Sequence, residues 1–280
     1  MELINGKAIA EKIKNQVVAE ISTLGTARPN LAIILVGERE DSKIYVTLKE
    51  KQAREVGIDT HVYRCPENIS QQELLDTVTF LNQDELIDGI LIQLPLPEAL
   101  DTDKIIATID PKKDIDGFQP QNLEIFLQTC QSLVEPPLIG VIREIISHEN
   151  ITIADKNAVA LVNSDLLGKV IGHFFDCAGA KVNILHGDEI DLIAQVSQAD
   201  ILVSALGKPG FITADMLKPG VVVIDIGITR LPDNSVVGDV DATSVANHRG
   251  RLTPVPGGVG PITIAMAFKN TLTLYKQRHQ

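Results

Sequence analysis

Tyr45 and Lys49 lie four residues apart in SKIYVTLKEK (42–51), so a helix there puts both side chains on one face. On most helices such a pair is an ordinary surface feature. It becomes an aromatic platform beside a reactive amine only if the lysine pKa falls from about 10.4 to about 7 or 8. Burial and hydrogen bonding to the neutral amine produce that shift. Three distant stretches carry groups suited to the same chemistry. GILIQLPLP (89–97) closes an apolar run with Gln93, followed by the stiff segment that includes Leu94 and Pro95. PKKDIDGF (111–118) sets Asp114 and Asp116 in a turn. TPVPGGVGPITIAM (253–266) places Gly257, Gly258 and Gly260 among Pro256 and Pro261 ahead of a helix, where backbone can approach a ligand closely. Singly, each has a plainer reading: Gln93 as a strand end, Asp116 as a turn former.

The flanking patterns say which elements position these groups. Residues 7–24 space Ala8, Ile9, Ile13, Val17, Val18 and Ile21 as on a helix. NLAIILVG (30–37) reads as a strand and 43–56 as a helix. THVYRC (60–65) is a strand, 69–83 a helix, and 88–97 a buried strand. The pattern then restarts: a helix after 135–140, a strand at 157–162, a helix to about residue 179, and strands at 181–186, 199–207 and 220–227. Alternation of this kind predicts an α/β chain with mostly parallel sheets, and the second set predicts a Rossmann-like half. A long helix closes the chain. No repeat or low-complexity tract is present.

The chain has 280 residues, 44% hydrophobic and 22% charged, enough for two domains with proper cores. A net charge of -12 argues against nucleic acid as a partner, because phosphate backbones need a basic face. Cys65, Cys130 and Cys177 form no CxxC pair, which predicts neither a disulfide framework nor a metal site. The polar N-terminus does not resemble a signal peptide, and no apolar run is long enough to span a bilayer. A cytoplasmic protein with no membrane partner is expected.

Together, the motifs S-x-x-Y-V-x-x-K, G-I-L-x-Q-L-P-L-P, K-D-x-D-G and P-G-G-V-G-P-x-T resemble the bifunctional methylenetetrahydrofolate dehydrogenase/cyclohydrolase family of one-carbon metabolism. ADILVSALGKPGFITADMLKPGVVVIDIGITR (199–230) is also similar to the family pattern, and the resemblance covers essentially the whole chain. It implies two domains: a folate-binding catalytic domain over 1–137, completed by 253–280 with the terminal helix returning to it, and a dinucleotide-binding domain over 138–252. It further implies that Lys49 is the catalytic lysine, that Tyr45 stacks on the folate, that Gln93 tunes the lysine and that Asp116 holds the pterin. Ser42, Leu94 and Pro95 would line the pocket and the loop from Pro256 to Pro261 would close it. The implied activities are hydrolysis of 5,10-methenyltetrahydrofolate and NAD(P)-dependent oxidation of 5,10-methylenetetrahydrofolate, by a homodimer serving purine and amino-acid biosynthesis.

The nucleotide side departs from the family pattern G-R-S-x-x-V-G-x-P. Here Val162 and Asn163 replace its glycine and arginine, while Ser164 and Gly168 are kept. A valine there is expected to crowd the phosphates, and losing the arginine removes a cation suited to the 2′-phosphate of NADP. Gly187 stands where the family has serine. Asp188 and Glu189 bring negative charge that favours a ribose 2′-hydroxyl, hence NAD, unless they are only solvated turn carboxylates. Gly207, Gly227 and Ile228 complete the expected cofactor residues. With the folate side intact, the sequence predicts a cyclohydrolase with a weakened, NAD-shifted or lost dehydrogenase. The alternatives are a monofunctional cyclohydrolase, a non-catalytic folate-binding relative with a vestigial nucleotide domain, and a different Rossmann dehydrogenase.

Overall fold

The computed structural model describes residues 1–279. In chain order its elements begin with β1 (Glu2–Leu3), α1 (Gly6–Ser22), β2 (Asn30–Val36), α2 (Glu40–Val56), β3 (Asp59–Cys65), α3 (Gln71–Gln83) and β4 (Gly89–Ile92). Three helices follow without intervening strands: α4 (Thr102–Thr108), α5 (Pro120–Thr129) and α6 (Pro137–His148). Then come β5 (Asn157–Val162), α7 (Asp165–Cys177), β6 (Lys181–Leu185), α8 (Leu192–Val196), β7 (Ile201–Ala205) and β8 (Val221–Asp225). A small hairpin of β9 (Thr229–Arg230) and β10 (Val236–Val237) leads to β11 (Gly250–Leu252) and α9 (Val259–Arg278).

The chain forms two compact units, one of residues 11–137 with 264–280 and one of 1–10 with 138–263. This division differs from the expected one at both seams. Residues 1–10 join the nucleotide unit because β1 pairs in parallel with β11. Residues 253–263 join it as well, so only the later part of α9 belongs with the N-terminal unit. Segments 102–108, 120–129 and 192–196, unassigned from sequence, are helices, and the strand expected over 88–97 ends at Ile92.

The N-terminal unit is built on the parallel sheet β3-β2-β4. β2 is apolar at nearly every position because both its faces are covered. Leu31, Ile33 and Leu35 pack with Val17 and Ile21 of α1, Val46 and Ala53 of α2, and Phe268 and Leu272 of α9. Ala32, Ile34 and Val36 pack on the opposite face with Leu74 and Val78 of α3 and Ile105 of α4. The α9 end is clamped to the start of β4: Arg278 Nη1 lies 3.0 Å from the buried carboxylate of Asp88 and also donates to the Ile87 carbonyl.

The nucleotide unit carries a six-stranded parallel sheet in the order β1-β11-β8-β7-β5-β6. From β5 the chain goes to β6 on one side and then crosses to β7 on the other, leaving a crevice at the carboxyl ends of β5 and β7 where ligands bind in such folds. Ser164 caps α7 by accepting from the Leu167 amide at 3.4 Å. Gly168, one turn on, faces the sheet. A Cβ added there would stand 2.7 Å from Ile184 Cγ2 and 3.0 Å from Val162 Cγ2.

This close helix-to-sheet contact generates a stability test. Gly168→Ala is expected to lower stability by about 1–2 kcal/mol, overpacking outweighing the gain in helix propensity. Urea denaturation should show the loss and a smaller loss in an Ile184→Ala background. Equal losses in both backgrounds would mean that Ile184 does not set the spacing.

Candidate active site

α2 and β4 bring the first reactive pair together. Lys49 sits on the third turn of α2, one turn after Tyr45, which packs against the apolar core. Ser42, one turn before Tyr45, is buried at 3% exposure. Gln93 follows β4 directly, and its amide donates to the Ile34 carbonyl at 2.9 Å, extending the sheet ladder by one bond. The Gln93 side chain is oriented from both ends. Its Nε2 donates to the Leu94 carbonyl at 3.0 Å, so Oε1 faces Lys49 and accepts from Nζ at 2.9 Å. Leu94 and Pro95 are exposed beside it.

Asp116 completes the group, and its turn is shaped by the neighbouring carboxylate. The buried Asp114 accepts from the amides of Asp116 (3.1 Å), Gly117 (3.0 Å) and Gln119 (2.9 Å) and from Asn122 Nδ2 at 3.1 Å. Asn270 of α9 ties the same turn by donating to the Ile115 carbonyl at 2.8 Å. Asp114 therefore organises the turn, and the neighbouring Asp116 carboxylate acts electrostatically on Lys49. Sequence reading gave a site role to Asp116 and none to Asp114. Alternation in K-D-x-D-G carried no signal for this, since residues two apart in an extended segment point to the same side.

The electrostatics follow from burial. Desolvation lowers the Lys49 pKa from its usual value, opposed by the charge of Asp116. The Asp116 carboxyl is pushed up to about 6, chiefly by burial, with Lys49 pulling it down and Asp114 pushing it up. The result is an amine able to shed its proton beside a carboxyl that titrates near neutrality. Gln93 presents only a carbonyl oxygen to Nζ, so it engages an N–H and leaves the lone pair of the neutral amine free.

The cofactor residues named from the sequence all lie in the nucleotide unit, and the crevice between β5 and β7 gathers several of them. One expectation needs correction. Val162 does not present its methyls to the crevice mouth; it is fully buried, with Cγ2 packed towards Gly168 beneath α7. Strand alternation is the reason, because residues 158, 160 and 162 share the face that α7 covers. Asn163 spans the crevice instead, with Nδ2 donating to the Leu206 carbonyl at 3.0 Å and its amide to Ala205 at 3.3 Å. Gly207 has φ +66° and lies beside it. Gly187 ends the loop after β6, and Asp188 and Glu189 are solvent-exposed.

Two buried carboxylates, unread from the sequence, brace this crevice. Asp239 accepts from Ser204 Oγ (2.7 Å) and from the amides of Leu206 (2.7 Å) and Lys208 (2.8 Å). Asp225 accepts from the amides of Gly227 (2.9 Å), Asp239 (3.1 Å) and Val240 (2.9 Å). Burial raises Asp225 to about 6, against the pull of these amides. The signal was a lone carboxylate ending the apolar run VVVID. Gly227 leaves room for the arrangement, since a Cβ there would fall 2.3 Å from Asp239 Cγ. Ile228, half-exposed, follows it. The loop expected over Pro256–Pro261 is shorter than read: Gly257 has φ +103°, the Gly258 amide donates to the Pro254 carbonyl at 2.7 Å, and α9 begins at Val259 with Gly260 and Pro261 in its first turn.

A nicotinamide dinucleotide fits these residues: a parallel-sheet switch point, a helix N-terminus at Ser164 for phosphates, and Gly207 and Gly187 as walls without side chains. The sequence reading of no metal ligands among the site residues stands as an expectation. Cys65 is a free thiol, whereas Cys130 and Cys177 are disulfide-bonded, a bridge that the lack of any CxxC pair did not announce.

The family described as tetrahydrofolate dehydrogenase/cyclohydrolase matches with its catalytic domain over residues 4–116 and its NAD(P)-binding domain over 138–279. The chain is 42% identical over 278 residues to the bifunctional protein FolD of Nautilia profundicola, covering 99% of this chain and 98% of that one. It is similar to the crystal structure of the bifunctional FolD dehydrogenase/cyclohydrolase of Campylobacter jejuni, with TM-score 0.93, 37% identity and 99% of each chain covered. The Trypanosoma brucei FolD, solved with NADP and an inhibitor, superposes with TM-score 0.94 at 33% identity, covering 99% of this chain and 98% of that one.

The Lys49 environment generates a prediction that needs no substrate. In a 15N NMR titration of the lysine ammonium groups, Lys49 should deprotonate below the exposed lysines. Asp116→Asn should lower it further, by removing the charge that holds its proton. A pKa that rises in this variant would take Asp116 out of the lysine's surroundings.

Proposed function

The chain belongs to the tetrahydrofolate dehydrogenase/cyclohydrolase family, and on that premise we propose that it carries both activities. It hydrolyses 5,10-methenyltetrahydrofolate to 10-formyltetrahydrofolate and oxidises 5,10-methylenetetrahydrofolate with NAD(P). The observation that carries the first reaction is the desolvated Lys49 amine held 2.9 Å from Gln93 Oε1. The expectation of a weakened or lost dehydrogenase is not borne out. The relatives are named bifunctional across nearly their full length, and the NAD(P)-binding domain matches throughout.

Cyclohydrolysis begins with attack of water on the cationic methenyl carbon. The neutral Lys49 amine takes a proton from that water as the C–O bond forms. The resulting ammonium returns the proton to the departing ring nitrogen as its C–N bond breaks, and the hydroxyl on the same carbon releases its proton to solvent as the C=O bond forms, leaving the formyl group on the other nitrogen. A permanently charged lysine would repel the cationic substrate, so lowering its pKa serves binding as well as proton transfer. Asp116 accepts from the amino-pyrimidine edge of the pterin, and Tyr45 offers a stacking face. Ser42, Leu94 and Pro95 shape the same pocket. A bound nicotinamide would supply the hydride acceptor for the dehydrogenase step. Ser164, Asn163, Gly187, Gly207, Gly227 and Ile228 would hold its nucleotide, the braced loops fixing position as such reactions require.

A homodimer working in the cytoplasm belongs to the same proposal, supported by the family resemblance and the acidic composition. Among the described residues, no helix is long and apolar enough to cross a membrane.

Lys49→Met should reduce cyclohydrolase turnover by about 10²–10⁴-fold with an unchanged circular dichroism spectrum. Near-parental hydrolysis by the folded variant would remove Lys49 from the mechanism. In the parent enzyme, cyclohydrolase kcat/KM should fall as pH drops through about 6, where Asp116 gains its proton. Asp116→Asn should weaken folate binding and shift that acid limb to lower pH, as the Lys49 pKa falls. An unaltered limb would assign it to another group.

A further inference from the structure

We propose that Lys208 is a specificity-determining residue of the nucleotide site, supplying for the 2′-phosphate of NADP the cation that position 163 lacks. The inference rests on the dinucleotide reading of the crevice and deepens it.

Lys208 belongs to the loop after β7, and Gly187 to the loop after β6. These strands flank β5 on opposite sides. Even so, the Lys208 ammonium lies 2.9 Å from where a Cβ of Gly187 would stand, so the side chain crosses the carboxyl end of β5 and reaches the end of β6. That crossing runs over the switch-point crevice. In a Rossmann half, the end of the second strand is where the adenosine ribose is read, by an acid for a 2′-hydroxyl or a cation for a 2′-phosphate. β6 is that strand here.

The lysine is held there by its surroundings. Its amide donates to the buried Asp239 at 2.8 Å, and the same carboxylate fixes Leu206 two residues earlier. The Phe211 ring flanks the ammonium, 5.2 Å from Nζ to the centroid. Among the described residues no carboxylate pairs with this ammonium, whereas His186 in the neighbouring loop lies 3.3 Å from Asp165. Asp188 and Glu189 are exposed next to Gly187 and oppose a 2′-phosphate. An unpaired cation at this point offsets them. Asn163 offers only an uncharged amide, already donated to Leu206.

The test is calorimetry on the full chain with NADP, NAD and 2′,5′-ADP, which carries the 2′-phosphate without the nicotinamide. Lys208→Met should weaken NADP and 2′,5′-ADP by about 10- to 100-fold, the loss of one charged hydrogen bond, and NAD by less than about twofold. Lys208→Arg should retain the NADP preference, and Asp188→Asn should strengthen it. Unchanged NADP affinity in Lys208→Met, or equal losses for NADP and NAD, overturns the role of Lys208 while leaving the nucleotide site intact. If the parent protein binds neither dinucleotide, the underlying reading of the crevice falls as well.

Discussion

A lysine amine withdrawn from water, yet aimed by a single carbonyl oxygen, is the constraint around which the N-terminal unit is arranged. Burying an ammonium is costly, and proteins answer by lowering its pKa or supplying partners. Here both occur. Gln93 Oε1 accepts from Lys49 while Asp116 supplies opposing charge. Each partner needs its own support: Gln93 from the β2 ladder through Ile34, and Asp116 from the Asp114 turn and Asn270. The amine and the carboxyl interact, so their titrations belong to the pair and not to either residue alone. The rigid, doubly covered sheet is what allows such a balance to be set by geometry.

The nucleotide unit solves a related problem with the opposite charge. Asp225 and Asp239 are buried carboxylates whose main partners are backbone amides and one hydroxyl, not cations. A carboxylate that gathers several amides fixes the backbone of every loop it touches. Those loops, 205–208, 226–228 and 238–240, come from both sides of β8. The arrangement holds the crevice walls in place without a cation paired to either carboxylate. Glycines at 227 and 238 follow from the same packing, because a Cβ at either would strike a carboxylate.

How much of this was readable in the sequence varied with the kind of signal. Runs such as NLAIILV and VVVID identify buried parallel strands, and Lys49, Gln93 and Asp116 were legible because each lies in a dense local motif. The short elements were not: β1 and β11 have two and three residues, and each is a strand only because the other and β8 are beside it. α4 and α5 are short, at seven and ten residues, and follow turns, which leaves little length for a periodic signal. The Asp225–Asp239 brace joins residues fourteen apart through the tertiary fold, which no local pattern announces. Val162 was misjudged for a different reason. A residue identity was read at the phosphate loop, but the side-chain direction belongs to the strand that precedes it.

That error bears on how the two substitutions at the nucleotide loops relate. Read by position, Asn163 for arginine and Gly187 for serine are two separate losses, and together they suggested a decaying cofactor site. Read in space, they describe one exchange. The Lys208 ammonium lies 2.9 Å from where a Cβ at 187 would stand, so a serine there would require this lysine end to shift. Asn163 in turn spends its amide on the Leu206 carbonyl, helping to hold the loop that carries the lysine. Cation, glycine and asparagine then meet at one crevice, and that crevice in an acidic chain keeps a positive charge although its loop sequence has changed.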